Sequence, residues 1–385
     1  MKRICLLGAS GSIGGQTLDV MRKHPVDFSL VGFSVGKQID KISEIIKEFS
    51  PKFVCVKDKE KSDIFAKDYP NITFFYGDDG LNELIKVCDC DMVVNALVGF
   101  VGLKPSITAL ENNKYLALAN KETLVAGGEI INNLLKNGNG KLIPIDSEHV
   151  ALSKCLSICN DNVDKIVITA SGGAFRKLNR NQLEDVTPED ALKHPTWSMG
   201  NKITIDSATM VNKTFEIIEA YYLFGYKYED IELMFNYESY VHSLVKYSDG
   251  SYRLDEGKPD MRVPIKYAMY EGACEYDIVY LNNLEQYKNS ELYPFDYERF
   301  PIVKLAKKII DEKGILGATF NAANEEAVYA FLNKEIRFLD IENIIEYCIR
   351  NTKNIQNPTY EDIKKCDIFV REMVHKITKG EIKLC

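Results

Sequence analysis

The chain has 385 residues, of which 45% are hydrophobic and 27% are charged, and its formal net charge is −8. This length exceeds one ordinary core and, at roughly 150 residues per domain, indicates two or three domains. The negative charge argues against a general nucleic-acid-binding protein, and no apolar run reaches the roughly 18 to 20 residues that cross a membrane. We expect a cytoplasmic protein, because the first residues lead directly into a glycine-rich turn without a signal-peptide pattern.

The first part of the chain alternates short apolar runs with amphipathic stretches. Strands separated by helices at this interval predict a parallel, doubly wound, Rossmann-like sheet, which we place in a first domain over residues 1–149. The predicted strands are Arg3–Gly8, Phe28–Ser34, Phe53–Val56, Met92–Leu97 and Lys141–Ile145.

A mixed α+β pattern follows, and we assign it to a catalytic domain over residues 150–284. Its main helix is expected from about Thr209 to Leu223, between the second and third of three strands. These strands are predicted at Lys165–Thr169, Lys202–Asp206 and Tyr240–Tyr247.

The C-terminal part of the chain has no strand pattern. Residues 285–300 are polar and aromatic and include Pro294, which is typical of a linker that runs along the surface. Helical periodicity from residue 301 to residue 385 predicts a small helical bundle. The expected fold class is therefore α/β, with a Rossmann-like sheet, a central α+β domain and a C-terminal helical bundle.

A glycine-rich turn follows the first predicted strand. Gly8, Gly11 and Gly14 have the spacing Gly-x-x-Gly-x-x-Gly and open a helix, whose free N–H groups can bind a pyrophosphate. A purely structural glycine loop would also account for this turn taken alone. Its place directly after the first strand favours dinucleotide binding.

The end of the second strand indicates which dinucleotide to expect. An acidic residue there would bind the free ribose hydroxyl of NADH and repel the 2′-phosphate of NADPH. The sequence has Ser34, Gly36 and Lys37 at this place and no carboxylate, which favours NADPH. The alternative interpretation of Lys37 is an ordinary surface lysine.

Three carboxylates are candidates for holding a divalent metal ion. Asp146 and Glu148 follow a strand, and in extended chain their side chains would point the same way, while Glu216 lies on the main helix of the catalytic domain. Such oxygen ligands suit Mg²⁺ or Mn²⁺, and zinc is not expected without a cluster of His and Cys. Any one of these carboxylates alone could equally cap a helix or form a surface ion pair, but the set favours a metal.

Hydroxyl, amide and amine groups in the same region predict a phosphate-binding cradle. Asn212 and Lys213 share a helical face with Glu216, Ser207 precedes that helix, and Ser171 begins a Ser-Gly-Gly turn after a strand. Together these groups would hold a small substrate by its charged end. A plain strand-to-loop turn would explain Ser171 and its two glycines about as well.

The only tryptophan of the chain, Trp197, lies in a segment rich in turn residues that runs from His194 to Gly200. A bulky aromatic side chain on a mobile loop can close over a bound substrate and exclude water. We predict a flap near residues 194–203, with a tryptophan buried at a domain junction as the alternative.

With these motifs assembled, the sequence resembles the 1-deoxy-D-xylulose 5-phosphate reductoisomerase family over essentially its whole length. The resemblance implies the NADPH- and metal-dependent rearrangement and reduction of 1-deoxy-D-xylulose 5-phosphate to 2-C-methyl-D-erythritol 4-phosphate, a step of non-mevalonate isoprenoid biosynthesis. It also implies a homodimer, with residues 150–284 as the catalytic and dimerisation domain. Further segments that carry it are Ala119–Glu122, Ile145–His149, Asp206–Met210 and Pro259–Arg262.

The resemblance implies roles for individual residues. The metal ligands would be Asp146, Glu148 and Glu216, and the catalytic residues would be these three with Lys121, His194 and Lys213. The substrate-binding residues would be Lys121, Ser147, Glu148, Ser171, His194, Trp197, Ser207, Asn212, Lys213 and Glu216, with Met261 nearby. The NADPH contacts would be Ser10, Gly11, Ser12, Ile13, Gly36, Gln38, Asn120, Glu122 and Gly200, in addition to Lys37.

Two positions depart from the family pattern. Ser10 stands where many members have threonine, and Gln38 stands where asparagine is frequent. Both keep their hydrogen-bonding capacity, so they put affinity in doubt and not activity.

Two other classes of function fit a nucleotide-binding turn. One is a simple NADPH dehydrogenase of the semialdehyde or homoserine type. An acylating semialdehyde enzyme needs a nucleophilic cysteine with a histidine base, whereas Cys155 and Cys159 fall on one face of a predicted helix. The other is a non-catalytic NADPH sensor, which would need neither the three carboxylates nor Lys213.

Overall fold

The computed structural model describes residues 1–36, 38–159, 161–197 and 199–384. Its chain forms two compact units. Among the described helices, none combines the length and the apolar composition that crossing a membrane requires. The first unit comprises Met1–Thr123, Ile130–Asp146 and Asp260–Cys274, and the second comprises Leu124–Glu129, Ser147–Pro259 and Glu275–Cys385.

The first unit is built on a seven-stranded sheet in which all neighbouring strands are parallel. The strands are β1 (Lys2–Leu7), β2 (Phe28–Val35), β3 (Phe53–Val56), β4 (Thr73–Tyr76), β5 (Met92–Asn95), β6 (Tyr115–Leu118) and β7 (Lys141–Pro144). Their order is β4-β3-β2-β1-β5-β6-β7, so the direction of winding reverses between β1 and β5. This confirms the predicted Rossmann-like sheet, and it adds β4 and β6, which the sequence analysis did not predict.

Helices cover this sheet because parallel strands need crossover connections, and these connections bury both faces. The central strand β1 is accordingly apolar and fully buried at Ile4 and Leu6. The helices of the first unit are α1 (Ser12–Lys23), α2 (Ile42–Phe49), α3 (Lys59–Asp68), α4 (Gly77–Val87), α5 (Leu103–Glu111), most of α6 (Glu122–Asn137) and α11 (Arg262–Met269).

Helix α11 belongs to the first unit although it lies far along the chain. Its residues Ile265, Ala268 and Met269 join the apolar core around β1 and β2. At its C-terminal end the Tyr270 hydroxyl donates to Asp27 Oδ2 at 2.6 Å, and Lys2 Nζ donates to the Met269 carbonyl at 2.7 Å. These contacts explain why the segment that contains α11 folds back onto the first unit.

The second unit is built on a six-stranded sheet. Its strands are β8 (Val163–Ala170), β9 (Ile231–Phe235), β10 (Val241–Tyr247), β11 (Tyr252–Glu256), β12 (Val279–Leu281) and β13 (Tyr293–Pro294). Their order is β12-β11-β10-β8-β9-β13, and only the β8–β9 pair within it is parallel. The second unit therefore has the mixed α+β character that the sequence predicts.

The helices of the second unit fall into two groups along the chain. Before residue 225 they are α7 (Ser147–Ile158), α8 (Pro188–Ala191), α9 (Asn201–Thr209) and α10 (Val211–Phe224). After residue 300 they are α12 (Leu305–Glu312), α13 (Leu316–Leu332), α14 (Asp340–Asn351) and α15 (Tyr360–Thr378), in agreement with the predicted C-terminal helices.

The strand predicted at Lys202–Asp206 is wrong, because these residues lie in α9. Ile203 and Ile205 alternate with polar residues, which imitates the two-residue period of a strand. The helix instead buries its polar residues as well, and it brings the Lys202 ammonium to 2.9 Å from Asp206 Oδ2, a pair four positions apart. A buried polar helix has no apolar stripe that a sequence pattern could detect.

The four-part domain division stays a prediction, and the two compact units differ from it in two respects. The segment Asp260–Cys274 belongs to the first unit, and the C-terminal helices share the second unit with its sheet. Within the predicted linker, β13 pairs with β9, and the Phe295 ring stacks on Phe235 with centroids 4.8 Å apart. This stretch of chain thus takes part in the second unit's sheet and core.

Candidate active site

In the first unit, predicted NADPH contacts follow the carboxyl ends of three parallel strands. The carboxyl ends of parallel strands meet at one edge, and ligands of open α/β sheets bind at that edge where the winding reverses. The reversal here lies at β1, whose turn carries four of the predicted residues. The residues are Ser10, Gly11, Ser12 and Ile13 after β1, Gly36 and Gln38 after β2, and Asn120 and Glu122 after β6. Lys37 lies outside the described residues.

The turn after β1 is tight because of its glycines. A side chain on Gly14 would place its Cβ 2.2 Å from the Gly8 carbonyl oxygen, and Gly8 itself has φ +83°. Gly11 is the N-cap of α1 and provides no side-chain cap, and the first turn of this fully described helix contains no acidic residue. The N-terminus of α1 therefore presents backbone N–H groups to an anion.

The Asn120 side chain holds a loop of the first unit in place through hydrogen bonds. Its side chain is 1% exposed, its Nδ2 donates to the Gly99 carbonyl at 2.9 Å and to the Leu97 carbonyl at 3.1 Å, and its Oδ1 accepts from Thr123 Oγ1 at 2.6 Å. The amide thus fixes the loop after β5. A direct contact between Asn120 and NADPH stays a prediction.

Lys121 and Asp146 form a buried ion pair in the first unit. They come together because Lys121 follows β6, Asp146 follows β7, and these strands are neighbours in the sheet. The exposed fractions are 6% and 9%. Asp146 ends the second of the three chain segments that form the first unit, and it directly precedes Ser147.

In the second unit, helices α7 and α10 bring Glu148 and Glu216 together, each offering a carboxylate oxygen within 4.8 Å of the other. The expectation that residues 146–148 are extended is wrong, since α7 begins at Ser147 and Glu148 lies in its first turn. On α10, Asn212 Nδ2 donates to Glu216 Oε1, as the shared helical face predicts. At the start of α7, the Ser147 hydroxyl donates to Glu148 Oε2.

Lys213 bridges the two glutamates of the second unit. Its Nζ lies 2.5 Å from Glu148 Oε1 and 2.6 Å from Glu216 Oε2. Burial acts to lower the pKa of this ammonium, but the two carboxylates outweigh it, so the pKa lies above its usual range. Lys213 is therefore a fixed positive charge and not a proton acceptor at neutral pH.

These donors fit a hard divalent cation. Each carboxylate oxygen can accept from more than one partner, so pairing with Lys213 does not use up the ligand capacity of Glu148 and Glu216. Asp146 is two residues from Glu148, so their Cα atoms are at most roughly 7 Å apart whatever the backbone conformation. Carboxylates without an adjoining thiol are the ligand type of Mg²⁺ and Mn²⁺.

A second cluster lies at the end of β8, where the His194 imidazole contacts two serines. Its Nε2 is 3.1 Å from Ser171 Oγ and 3.2 Å from Ser207 Oγ. Its Nδ1 accepts hydrogen bonds from the backbone N–H groups of Thr196 at 3.2 Å and Trp197 at 3.0 Å. Since Nδ1 accepts, Nε2 carries the proton and is turned toward the serine hydroxyls.

The surroundings of His194 keep its imidazole neutral. Burial together with the positive charges of Arg176 and Lys213 lowers the pKa of His194 to about 4. Two cations near a neutral donor and two hydroxyls suit a phosphate dianion. Arg176 was missed by the sequence analysis, although it lies only three residues after the Ser171–Gly173 turn.

The Ser171–Gly173 turn and helix α9 approach each other closely. A Cβ on Gly173 would lie 2.6 Å from the Ser207 carbonyl oxygen, and Gly173 has φ +63°. Ser207 was expected just before the helix that bears Asn212, but it lies in the last turn of α9. Met210, with φ 65°, separates α9 from α10.

The predicted flap segment is partly described. The half-buried Trp197 ring lies 6.4 Å from the His242 ring, and Thr196 Oγ1 lies 3.0 Å from Ser239 Oγ. Ser198 lies outside the described residues. Gly200, a predicted NADPH contact, is the N-cap of α9 in the second unit, and Met261 belongs to the first unit next to α11.

Two further residues connect the helices that carry the glutamates. His149 Nε2 donates to the Glu216 carbonyl oxygen at 2.9 Å, and its Nδ1 lies 3.2 Å from Glu219 Oε2. Both side chains are fully buried. The sequence analysis assigned neither a role, although His149 directly follows Glu148 and Glu219 lies one helical turn after Glu216.

Comparison with known proteins shows the family of this chain. Family models described as 1-deoxy-D-xylulose 5-phosphate reductoisomerase, as its C-terminal domain, and as the DXP reductoisomerase C-terminal domain match residues 4–128, 142–224 and 257–373. A 1-deoxy-D-xylulose 5-phosphate reductoisomerase 2 of Bacillus thuringiensis is 45% identical over 97% of this chain and 99% of its own. The Geobacillus kaustophilus reductoisomerase is 45% identical over 98% of this chain and 100% of its own.

Solved structures lead to the same family. A DOX-P reductoisomerase crystallised with NADPH, fosmidomycin and magnesium superposes with a TM-score of 0.89 at 33% identity, covering 98% of both chains. The Zymomonas mobilis enzyme in complex with NADPH gives a TM-score of 0.88 at 34% identity, covering 98% of this chain and 99% of its own. The chain belongs to the 1-deoxy-D-xylulose 5-phosphate reductoisomerase family.

Proposed function

We propose that this chain catalyses the NADPH- and metal-dependent rearrangement and reduction of 1-deoxy-D-xylulose 5-phosphate to 2-C-methyl-D-erythritol 4-phosphate. Family membership supports the reaction, since relatives that bear this enzyme's name match nearly the full chain. The observation that carries the proposal is that two consecutive helices position both the phosphate-binding group and the metal-binding group. Helix α9 holds Ser207 in the anion cradle. Helix α10 holds Lys213, six positions further along the chain, between two carboxylates.

Asp146, Glu148 and Glu216 are the proposed metal ligands, and Mg²⁺ or Mn²⁺ is the proposed ion. A related structure contains magnesium, and the donor set here is made of carboxylates. An ion held by these carboxylates would polarise the substrate carbonyl and would lower the pKa of the neighbouring hydroxyl. Lys213 offsets part of the negative charge of the carboxylates, and Lys121 does the same for Asp146.

The phosphate end of the substrate is proposed to bind Ser171, His194 and Ser207, with Asn212 and Lys213 reaching its oxygens from α10. A neutral His194 donates through Nε2, and its orientation is set by the two N–H groups on Nδ1. Ser147 and Lys121 are proposed to bind the substrate hydroxyls. These groups position the reacting carbons, which is the main contribution of fixed side chains to such a reaction.

NADPH is proposed to bind at the carboxyl edge of the parallel sheet, with its pyrophosphate at the N-terminus of α1. The contacts predicted there from Ser10 to Gln38 follow β1 and β2, and Gly200 is proposed to contribute from the second unit. NADPH held there would supply the hydride that reduces the rearranged aldehyde. Trp197 is proposed to cover the substrate, which would keep water from this aldehyde.

We propose further that the enzyme is a cytoplasmic homodimer. The lack of a membrane-spanning helix among the described residues is compatible with this location, and the family resemblance supports the dimer. Light scattering of the purified protein at several concentrations measures the mass directly. A mass that stays at 43.7 kDa, the mass of one chain, would rule out the dimer. Fractionation of the source cells tests the location.

The test of the reaction follows NADPH oxidation by its absorbance, with 1-deoxy-D-xylulose 5-phosphate as substrate, after chelator treatment and after restoring Mg²⁺ or Mn²⁺. The proposal predicts oxidation that requires both the sugar phosphate and the metal. If restored metal gave no oxidation, the substrate assignment would be wrong. Oxidation that persisted without metal would overturn the roles of the three carboxylates and favour a simple dehydrogenase.

A further inference from the structure

We propose that Asn324, in the C-terminal helix α13, is a positioning residue that holds the substrate-binding Ser207 in place through Asp206. The inference rests on the proposed function, because the role of Ser207 as a substrate ligand belongs to that function. The hydrogen bond of Asn324 reaches Asp206, which directly precedes Ser207 in the chain. It acts on the orientation of helix α9.

The contact is a buried amide-to-carboxylate hydrogen bond. Asn324 Nδ2 donates to Asp206 Oδ1 at 2.8 Å, and Lys202 Nζ lies 2.9 Å from the other oxygen, Oδ2. The exposed fractions are 0% for Asn324, 1% for Asp206 and 7% for Lys202. Asp206 thus has a partner on its own helix and another on α13, 118 positions further along the chain.

Burial makes this contact strong. A hydrogen bond to an ionised carboxylate is about twice as strong as one between neutral groups, and a buried charge that loses a partner is not compensated by water. The Asn324 Oδ1 atom is buried without a hydrogen-bond partner. The Asn324 side chain is therefore held in place by the hydrogen bond that its Nδ2 donates to Asp206.

Helix α9 needs such an anchor because it is short and ends at a sharp bend. It has nine residues and stops at Met210, whose φ of 65° breaks the continuity with α10. Lys202 Nζ also lies 4.9 Å from the centre of the Phe215 ring on α10, and Phe215 packs edge-on against Phe320 of α13 at 5.3 Å. The polar contact and the aromatic contact together fix α9 against α10 and α13.

Small movements of α9 are expected to affect the phosphate cradle. Ser207 follows Asp206 directly, and its hydroxyl lies 3.2 Å from His194 Nε2. A shift of about 1 Å would take this contact beyond hydrogen-bond range. The Ser207 carbonyl also limits the approach of the Ser171–Gly173 turn, so that turn would move with the helix.

The test compares Asn324→Ala with Asn321→Ala. Both asparagines lie in α13, both are 0% exposed, both have an unpartnered Oδ1, and both donate through Nδ2 to a carboxylate. Asn321 donates to Glu325 on its own helix, at 3.0 Å, and not to α9. The two substitutions therefore remove the same atoms from similar surroundings, and only one of them releases Asp206.

Two readouts are measured for each variant. The first is steady-state kinetics with 1-deoxy-D-xylulose 5-phosphate, in which we expect Asn324→Ala to raise the KM for the sugar phosphate about tenfold relative to Asn321→Ala, or ~1.4 kcal/mol. The KM for NADPH should be the same in both variants. The second is the fluorescence of Trp197, the only tryptophan, on titration with inorganic phosphate, in which the same difference in affinity is expected.

The two proposals can fail separately. If the wild-type protein does not oxidise NADPH with this substrate, the proposed function is wrong, while the phosphate titration still compares the two variants. If the wild-type protein is active and both variants bind the sugar phosphate and inorganic phosphate equally well, the positioning role of Asn324 is wrong. If Asn324→Ala does not fold, the comparison is made with Asn324→Leu and Asn321→Leu, which keep a similar side-chain volume without a donor, and equal affinities there would again overturn the role.

Discussion

The Nζ atom of Lys213 lies 2.6 Å from Oε2 of Glu216, one turn further along α10. The same ammonium also pairs with Glu148 on α7, so the two proposed metal ligands of the second unit converge on one fixed positive charge. Carboxylates that converge in this way in the fold itself are preorganised for a cation. His149 strengthens this arrangement, because it follows one glutamate and holds the backbone carbonyl of the other.

Replacing Glu216 by glutamine should abolish turnover and leave NADPH binding intact. The change removes one charged ligand and one of the two carboxylate partners of Lys213, so we expect the affinity for Mg²⁺ or Mn²⁺ to fall by at least about 100-fold. Metal titrations of activity and NADPH binding followed by fluorescence measure the two effects. Glu232→Gln, at an exposed position on β9, is the matched control and should behave as the wild type. A loss of NADPH affinity in Glu216→Gln would contradict the separation of the two sites.

The pKa of His194 predicts a pH dependence of stability. Its folded-state value is about 4 and its ordinary value is 6.5, so between these values the unfolded chain binds a proton that the folded chain does not. The contribution of neutral His194 to the free energy of unfolding is therefore complete above about pH 6.5, and it is lost as the pH falls toward 4. We expect urea unfolding midpoints of the wild type to fall more steeply in this window than those of His194→Gln. Parallel curves would show that His194 titrates normally.

Gly173→Ala should weaken substrate binding. The added Cβ would meet the Ser207 carbonyl at 2.6 Å and push the cradle apart, so we expect the KM for the sugar phosphate to rise between about tenfold and 100-fold. Gly250→Ala controls for backbone strain, because Gly250 has φ +85° but no atom within 4 Å of the added Cβ. Both variants should lose roughly 1 to 2 kcal/mol of stability to the left-handed backbone. An equal KM in the two variants would contradict the proposed cradle.

Ser12→Glu should stabilise helix α1 and weaken the binding of NADPH. Ser12 is exposed at the first position of α1, where a negative charge stabilises the helix by about 0.3 to 1 kcal/mol. The same charge would repel the NADPH pyrophosphate, and we expect the KM for NADPH to rise roughly tenfold. The thermal midpoint should not fall, and the KM for the sugar phosphate should not change. An unaltered KM for NADPH would place the pyrophosphate elsewhere.

Much of the first unit could be predicted because short stretches of sequence mark its strands and its glycine turn. Strands β1, β2, β3, β5 and β7 are short apolar runs bounded by turns, and the glycine turn stands directly after β1. Strand β4 was missed although Phe74, Phe75 and Tyr76 form a short aromatic run that is typical of a strand, and in the fold this strand is only partly buried. The carboxyl-edge position of Lys121 and Asp146 follows once the strands are known, since β6 and β7 are neighbours.

The rest of the site depends on contacts between distant residues, which a single sequence does not reveal. Asp206 and Asn324 are 118 positions apart, and nothing in either segment indicates the hydrogen bond between them. The low pKa of His194 depends on its burial and on the charge of Arg176, which only the folded chain brings near. Helix α9 was mistaken for a strand because its polar residues are buried together with its isoleucines, so no apolar stripe of helical period marks it.

The identity of the reaction product tests the central claim most directly. The protein is incubated with carbon-13-labelled 1-deoxy-D-xylulose 5-phosphate, NADPH and Mg²⁺, and the product is identified by NMR. The account predicts a branched carbon skeleton, that of 2-C-methyl-D-erythritol 4-phosphate, which requires rearrangement before reduction. A linear 1-deoxypentitol phosphate, formed by direct reduction of the ketone, would contradict it, because NADPH would then be consumed by a simple dehydrogenase.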